Sequence, residues 1–110
     1  MGFRYLESIG YRDTLNMLLV AFCRDYFSRK AVIESGKCSR RTRMEYEYIN
    51  GRIADATREI VGDYFEVFIK EIGESIGYTH SRVDNLCENL YKQYKKEVKI
   101  NIARKLHLID

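Results

Sequence analysis

Apolar positions recur along the chain at three- and four-residue spacing and sort into four stretches that predict helices. The first covers residues 13–34, with Leu15, Leu18, Leu19, Phe22, Tyr26 and Ile33 on one face. Asp13 or Thr14 can cap its start, and Ser35-Gly36 ends it. The second covers 42–61, where Thr42 and Glu45 have capping-box spacing and Met44, Tyr48, Ile49, Ile53, Ala56 and Ile60 form the apolar face. Gly62-Asp63 reads as a break before a third helix over 64–76 that buries Phe65, Phe68, Ile72 and Ile76; an unbroken helix from 44 to 76 is the alternative. The fourth starts after Thr79 and covers 80–106, with Val83, Leu86, Leu90, Tyr94, Val98, Ile102 and Leu106 on its stripe. Residues 1–12, with Gly2, Gly10, Phe3, Tyr5 and Tyr11, read as an irregular N-terminal arm.

Composition strengthens this picture. Proline is absent and glycine scarce in a chain of 110 residues, which favours an all-α fold: one four-helix domain, 1–110, with a long C-terminal helix. That last helix carries Ile100, Ala103 and Leu108 beyond its stripe, more apolar surface than one seam uses. A homodimer through Val98, Ile102 and Leu106 is the expected outlet. No run of about 18 apolar residues exists, so no membrane span is expected. The start of the chain lacks the apolar stretch of a signal peptide, and Cys23, Cys38 and Cys87 show no paired spacing. Reduced thiols in a cytoplasmic protein, with no metal and no cofactor, are the reading these features give.

The segment Ile72-Gly73-Glu74-Ser75-Ile76-Gly77-Tyr78-Thr79-His80-Ser81-Arg82-Val83 carries a motif. Gly77 can supply the positive φ that ends one helix, Thr79 can cap the next, and Val83 and Leu86 lie three apart on its inward face. Gly73 costs about 1 kcal/mol relative to alanine inside a helix, which close helix crossing would justify. Short helix, glycine turn and capped helix resemble the helix-turn-helix of DNA-binding proteins, over about 20 of the 110 residues near 64–90. The arrangement is similar to small phage and mobile-element regulators and to the promoter-reading end of sigma factors. The resemblance implies that His80, Ser81, Arg82 and Asn85 face base edges of double-stranded DNA, with Thr79 as cap and phosphate contact. Arg40, Arg41 and Arg43 would hold phosphate from the basic linker.

Charge is uneven along the chain. Residues 1–43 carry nine Lys/Arg against four Asp/Glu, residues 44–78 three against eight, and residues 79–110 seven against four. Basic ends can face phosphate, or the acidic middle can pair with them internally. Nine tyrosines, among them Tyr91 and Tyr94 between Lys92, Lys95 and Lys96, suit either stacking on bases or a protein interface.

Catalytic constellations are not visible. Glu71 and Glu74 share a helix face without a histidine nearby, and no glycine loop cradles phosphate. Two non-enzymatic functions fit: a sequence-specific DNA-binding transcriptional regulator, or a small helical protein that binds another protein, such as a nucleic-acid enzyme it blocks, and touches no DNA.

Overall fold

Helices account for every long apolar stripe in the computed structural model, which describes residues 11–84 and 86–109. In chain order they are α1 (Tyr11–Arg24), α2 (Tyr26–Ser35), α3 (Arg40–Val61), α4 (Phe65–Gly73) and α5 (Glu88–Lys105). Two 3₁₀ turns, Gly62–Tyr64 and Tyr78–His80, complete the order, and no strand occurs among the described residues. The fold is all-α, with five helices among the described residues in place of the expected four. The first ten residues of the expected arm lie outside the described residues; Tyr11 and Arg12 already belong to α1.

The extra helix comes from a break at Asp25. In an unbroken helix the Phe22 carbonyl would accept from the Tyr26 amide, but here it accepts from the Arg29 guanidinium. A side chain entering the helical ladder is one of the standard causes of a kink. Arg29 is itself buried, and its Nε donates to Asn50 Oδ1 at 2.7 Å while Asn50 Nδ2 donates to the Tyr26 carbonyl at 3.0 Å. The kink is thus also the polar joint between α2 and α3.

α3 starts at Arg40, ahead of expectation, because Ser39 rather than Thr42 is the cap. The Ser39 hydroxyl oxygen accepts from the Thr42 amide at 3.2 Å. At its far end Gly62 takes φ +60°, and the break expected at Gly62-Asp63 is present as the first 3₁₀ turn. α3 lies against α2, α4 and α5, so it is the spine of the molecule. Leu15, Leu19, Cys23, Ile53, Ile69, Ile72, Val98 and Ile102 form the main core, and burying each large side chain contributes about 1.5–3 kcal/mol. A second cluster, Phe68, Val83 and Tyr91, sits beside the C-terminal end of α3 with Val61 packed on it.

The surplus apolar surface expected on the last helix is covered by the chain itself. Val98 and Ile102 have no exposed surface, and Leu106 packs half-buried on the same core. The dimer interface read from these three residues is therefore corrected: α1 and α3 fill the place assigned to a second subunit.

Gly73 is the tightest point of the fold. A Cβ there would come within 2.6 Å of both Cα and N of Arg24, so α4 can cross α1 this closely only with glycine. Close approach is the reason for this glycine, as expected, but the partner is α1 and not the following helix. Gly51, inside α3, faces open space. Opposite outcomes are expected in thermal melts. Gly51→Ala should stabilise by about 1 kcal/mol through helix propensity. Gly73→Ala should destabilise by about 1–3 kcal/mol, because backbone of α1 must move.

Candidate functional site

Fourteen residues, 74–87, separate α4 from α5, and here the structure departs most from the expected motif. Gly77 has φ −86° and is extended; the left-handed residue that follows α4 is Ser75, at φ +55°. Thr79 caps nothing and lies with His80 in the second 3₁₀ turn, both exposed. Ser81 is extended, residues 82–84 belong to no helix, and α5 begins only at Glu88. The second helix of the expected pair is absent over 80–84, so a tight helix-turn-helix does not form near 64–90.

The cause is Glu71, a fully buried carboxylate on α4. Its Oε1 accepts from the Ser81 hydroxyl at 2.6 Å and from the Tyr91 hydroxyl at 2.7 Å, and its Oε2 accepts from the Arg82 amide at 2.7 Å. The Val83 amide in turn donates to Ser81 Oγ at 3.0 Å, a local side-chain bond of the kind that competes with a helix. Tyr78 closes the loop by donating to the Leu86 carbonyl at 2.8 Å. Val83, whose spacing to Leu86 suggests a helix, instead buries its side chain from outside any helix, and Leu86 packs partly buried on the same cluster.

Burial alone pushes the Glu71 carboxyl up, but the Arg82 amide and the two hydroxyls favour the charged form and hold it below its ordinary value. Burial and the bond to Glu71 push the Tyr91 phenol up to about 12.

The predicted contact residues fall into two separated groups. Arg82 is exposed at its side chain and pinned at its backbone; Asn85 lies outside the described residues. Arg40, Arg41 and Arg43 are exposed in the first turns of α3, where Arg41 pairs with Glu45 at 3.2 Å. Asp84 and Leu86 share a pocket with Ile60 and Val61, at the opposite end of α3. The two groups thus stand roughly 30 Å apart along that helix. Compared with known protein families, curated proteins and solved structures, the chain matches none.

A second feature is better built. Between α1 and α5 runs a groove of about 480 Å³. Lys92, Lys95, Lys96 and Lys99 line it from α5, with Asp13 and Asn16 facing them from α1. Leu15, Leu19, Ile100 and Ala103 give it apolar lining. Lys95 Nζ donates to the Ile76 carbonyl at 2.7 Å, and Lys99 Nζ to Asn16 Oδ1 at 2.9 Å. Both ammonium groups are half-buried, and burial lowers both pKa values; the neighbouring Lys99 lowers that of Lys95 further. Among the described residues no carboxylate lies within ion-pair distance of either. The sequence signal was there: four lysines at i, i+3, i+4 and i+7 make one helical stripe. It was read only as surroundings for Tyr91 and Tyr94, and Tyr91 is buried.

Elsewhere, among the described residues, two ion pairs join separate helices. Lys30 meets Glu66 at 2.9 Å and Lys105 meets Glu59 at 3.0 Å, so the acidic middle pairs with the basic ends. All three thiols are free, and burial pushes that of Cys23 up to about 12. Among the described residues no group of three or more His, Cys, Asp or Glu side chains is placed to hold a metal, and no helix is long and apolar enough to cross a membrane.

A carboxyl lowered in the folded state adds stability above its unfolded pKa and loses it as pH falls through the folded value. Glu71→Gln leaves one amide oxygen for three donors and should cost about 1–3 kcal/mol at neutral pH. Urea melts below the ordinary carboxylate value of 4.5 should show the wild type losing this advantage and converging on the variant. Parallel stability curves for the two proteins would contradict the role given to Glu71.

Proposed function

We propose that this chain is a small, non-enzymatic helical protein that works by binding another protein. The observation that carries the reading is the groove between α1 and α5: an open, lysine-lined channel with apolar walls, large enough to seat side chains of a partner. Two points add support. His80 lies in a 3₁₀ turn, and Ser81 and Arg82 are bonded to Glu71 outside any helix, so no recognition helix starts at these three residues. Glu71 itself is buried and accepts from three donors, so this carboxylate is committed to holding the loop and is not presented to a substrate. A homodimer through Val98, Ile102 and Leu106 is not part of this reading, because those residues serve the internal core.

One observation favours the regulator as a second reading. Arg40, Arg41 and Arg43 stand exposed in the opening turns of α3, at the positive end of the helix dipole. Basic side chains are unfavourable there and phosphate is favourable, so these arginines would suit a nucleic-acid backbone.

A mobility-shift assay with the DNA flanking the chain's own gene separates the two. The expected result is no complex that survives competition by random DNA. Any weak binding at low salt should respond alike on all sequences to Arg41→Ala, with a smaller salt slope. A specific complex that loses about 1–3 kcal/mol and its sequence preference in Arg82→Ala would restore the regulator reading and overturn this one.

A further inference from the structure

We infer that the groove between α1 and α5 docks an acidic amphipathic segment of a partner protein, with its carboxylates on the lysine stripe and its apolar side chains on the groove wall. This rests on the protein-binding reading above and names the chemistry of the partner. Of the four lysines only Lys92 has an ion-pair partner among the described residues, Glu88 at 3.5 Å. Lys95 and Lys99 are one helical turn apart and half-buried, an arrangement in which like charges repel and lose hydration together. Their hydrogen-bond partners, the Ile76 carbonyl and Asn16, orient the ammonium groups without neutralising them. Among the described residues Asp13 is the one acid in the lining, facing four lysines.

The apolar lining decides between kinds of anion. Leu15, Leu19 and Ala103 are already buried in the protein's own core, so the apolar surface open to a partner is half-buried Ile100, which a nucleic-acid backbone would leave without a counterpart. An amphipathic segment with acids at helical spacing satisfies both, since Lys92, Lys95, Lys96 and Lys99 repeat along one α5 face over roughly 10 Å.

The test is fluorescence anisotropy on the full chain with a short labelled peptide that alternates glutamate and leucine at helical spacing. Its probes for comparison are a scrambled peptide of equal composition, a single-stranded oligonucleotide and vesicles containing anionic lipid. The amphipathic peptide should bind on the order of tenfold more tightly than the scramble and weaken with salt. Lys95→Gln with Lys99→Gln should weaken it by about tenfold. Lys92→Gln with Lys96→Glu, at exposed positions that leave the bonds to Ile76 and Asn16 intact and remove only the exposed Lys92–Glu88 pair, should do the same in a protein that melts within a few degrees of the wild type. Equal binding of peptide and scramble, preference for oligonucleotide or vesicle, no binding at all, or indifference to the Lys92/Lys96 pair would each overturn the inference. Failure here with no sequence-specific DNA complex leaves a protein-binding function at another surface, whereas a specific DNA complex removes both.

Discussion

Everything from residue 71 to residue 91 depends on one buried carboxylate. Glu71 gathers the Ser81 hydroxyl, the Arg82 amide and the Tyr91 hydroxyl, and so joins α4, the connecting loop and α5 at one point. A buried ionised group is expensive unless fully hydrogen-bonded, and here three donors meet that demand. Each donor is in turn fixed by it. Ser81 and Arg82 cannot enter a helix while they serve Glu71, and Tyr91 is held upright against Phe68, with ring centroids 5.7 Å apart. The second core cluster and the late start of α5 follow.

The same constraint sets the surface that a partner would meet. By keeping residues 81–87 out of the last helix, it anchors the chain around Ile76, whose carbonyl accepts from Lys95. Among the described residues two ion pairs join separate helices, Glu66 with Lys30 and Glu59 with Lys105. Glu59 also accepts from Asn101, and these bonds to Asn101 and Lys105 lower its pKa. The lysine stripe of α5 differs: Lys95 and Lys99 are half-buried on neutral hydrogen-bond partners, with no carboxylate within ion-pair distance among the described residues.

Much of the fold was legible in the sequence because helical spacing records which face is buried. Leu15, Leu19, Ile53, Phe68, Ile72, Val98 and Ile102 are all core residues, as their spacing indicated. The break at Gly62 and the need for a small residue at Gly73 were legible too. What spacing does not encode is long-range polar capture. Arg29 breaks the first helix by reaching back to Phe22, and Glu71 unwinds the start of the last by reaching residues ten and eleven positions on. Val83 and Leu86 misled for a related reason: a three-residue step suits a helix, yet a chain outside any helix that curves over a cluster can pack both on it. Of the predicted site, only the exposure of Thr79, His80, Arg82, Arg40, Arg41 and Arg43 matches what DNA contact requires; their separation along α3 does not. The groove was missed because its lysines face α1, a pairing that requires knowledge of the packing.

Backbone NMR of residues 78–90 tests the central claim most directly, through secondary chemical shifts and amide hydrogen exchange. If Glu71 holds the segment, Ser81 to Asp84 give non-helical shifts and helical shifts start near Glu88. The Arg82 amide is then protected against exchange in the wild type and loses protection in Glu71→Gln. Continuous helical shifts from His80 through Lys105, with Arg82 exchanging like its neighbours, would contradict the account and return the helix-turn-helix.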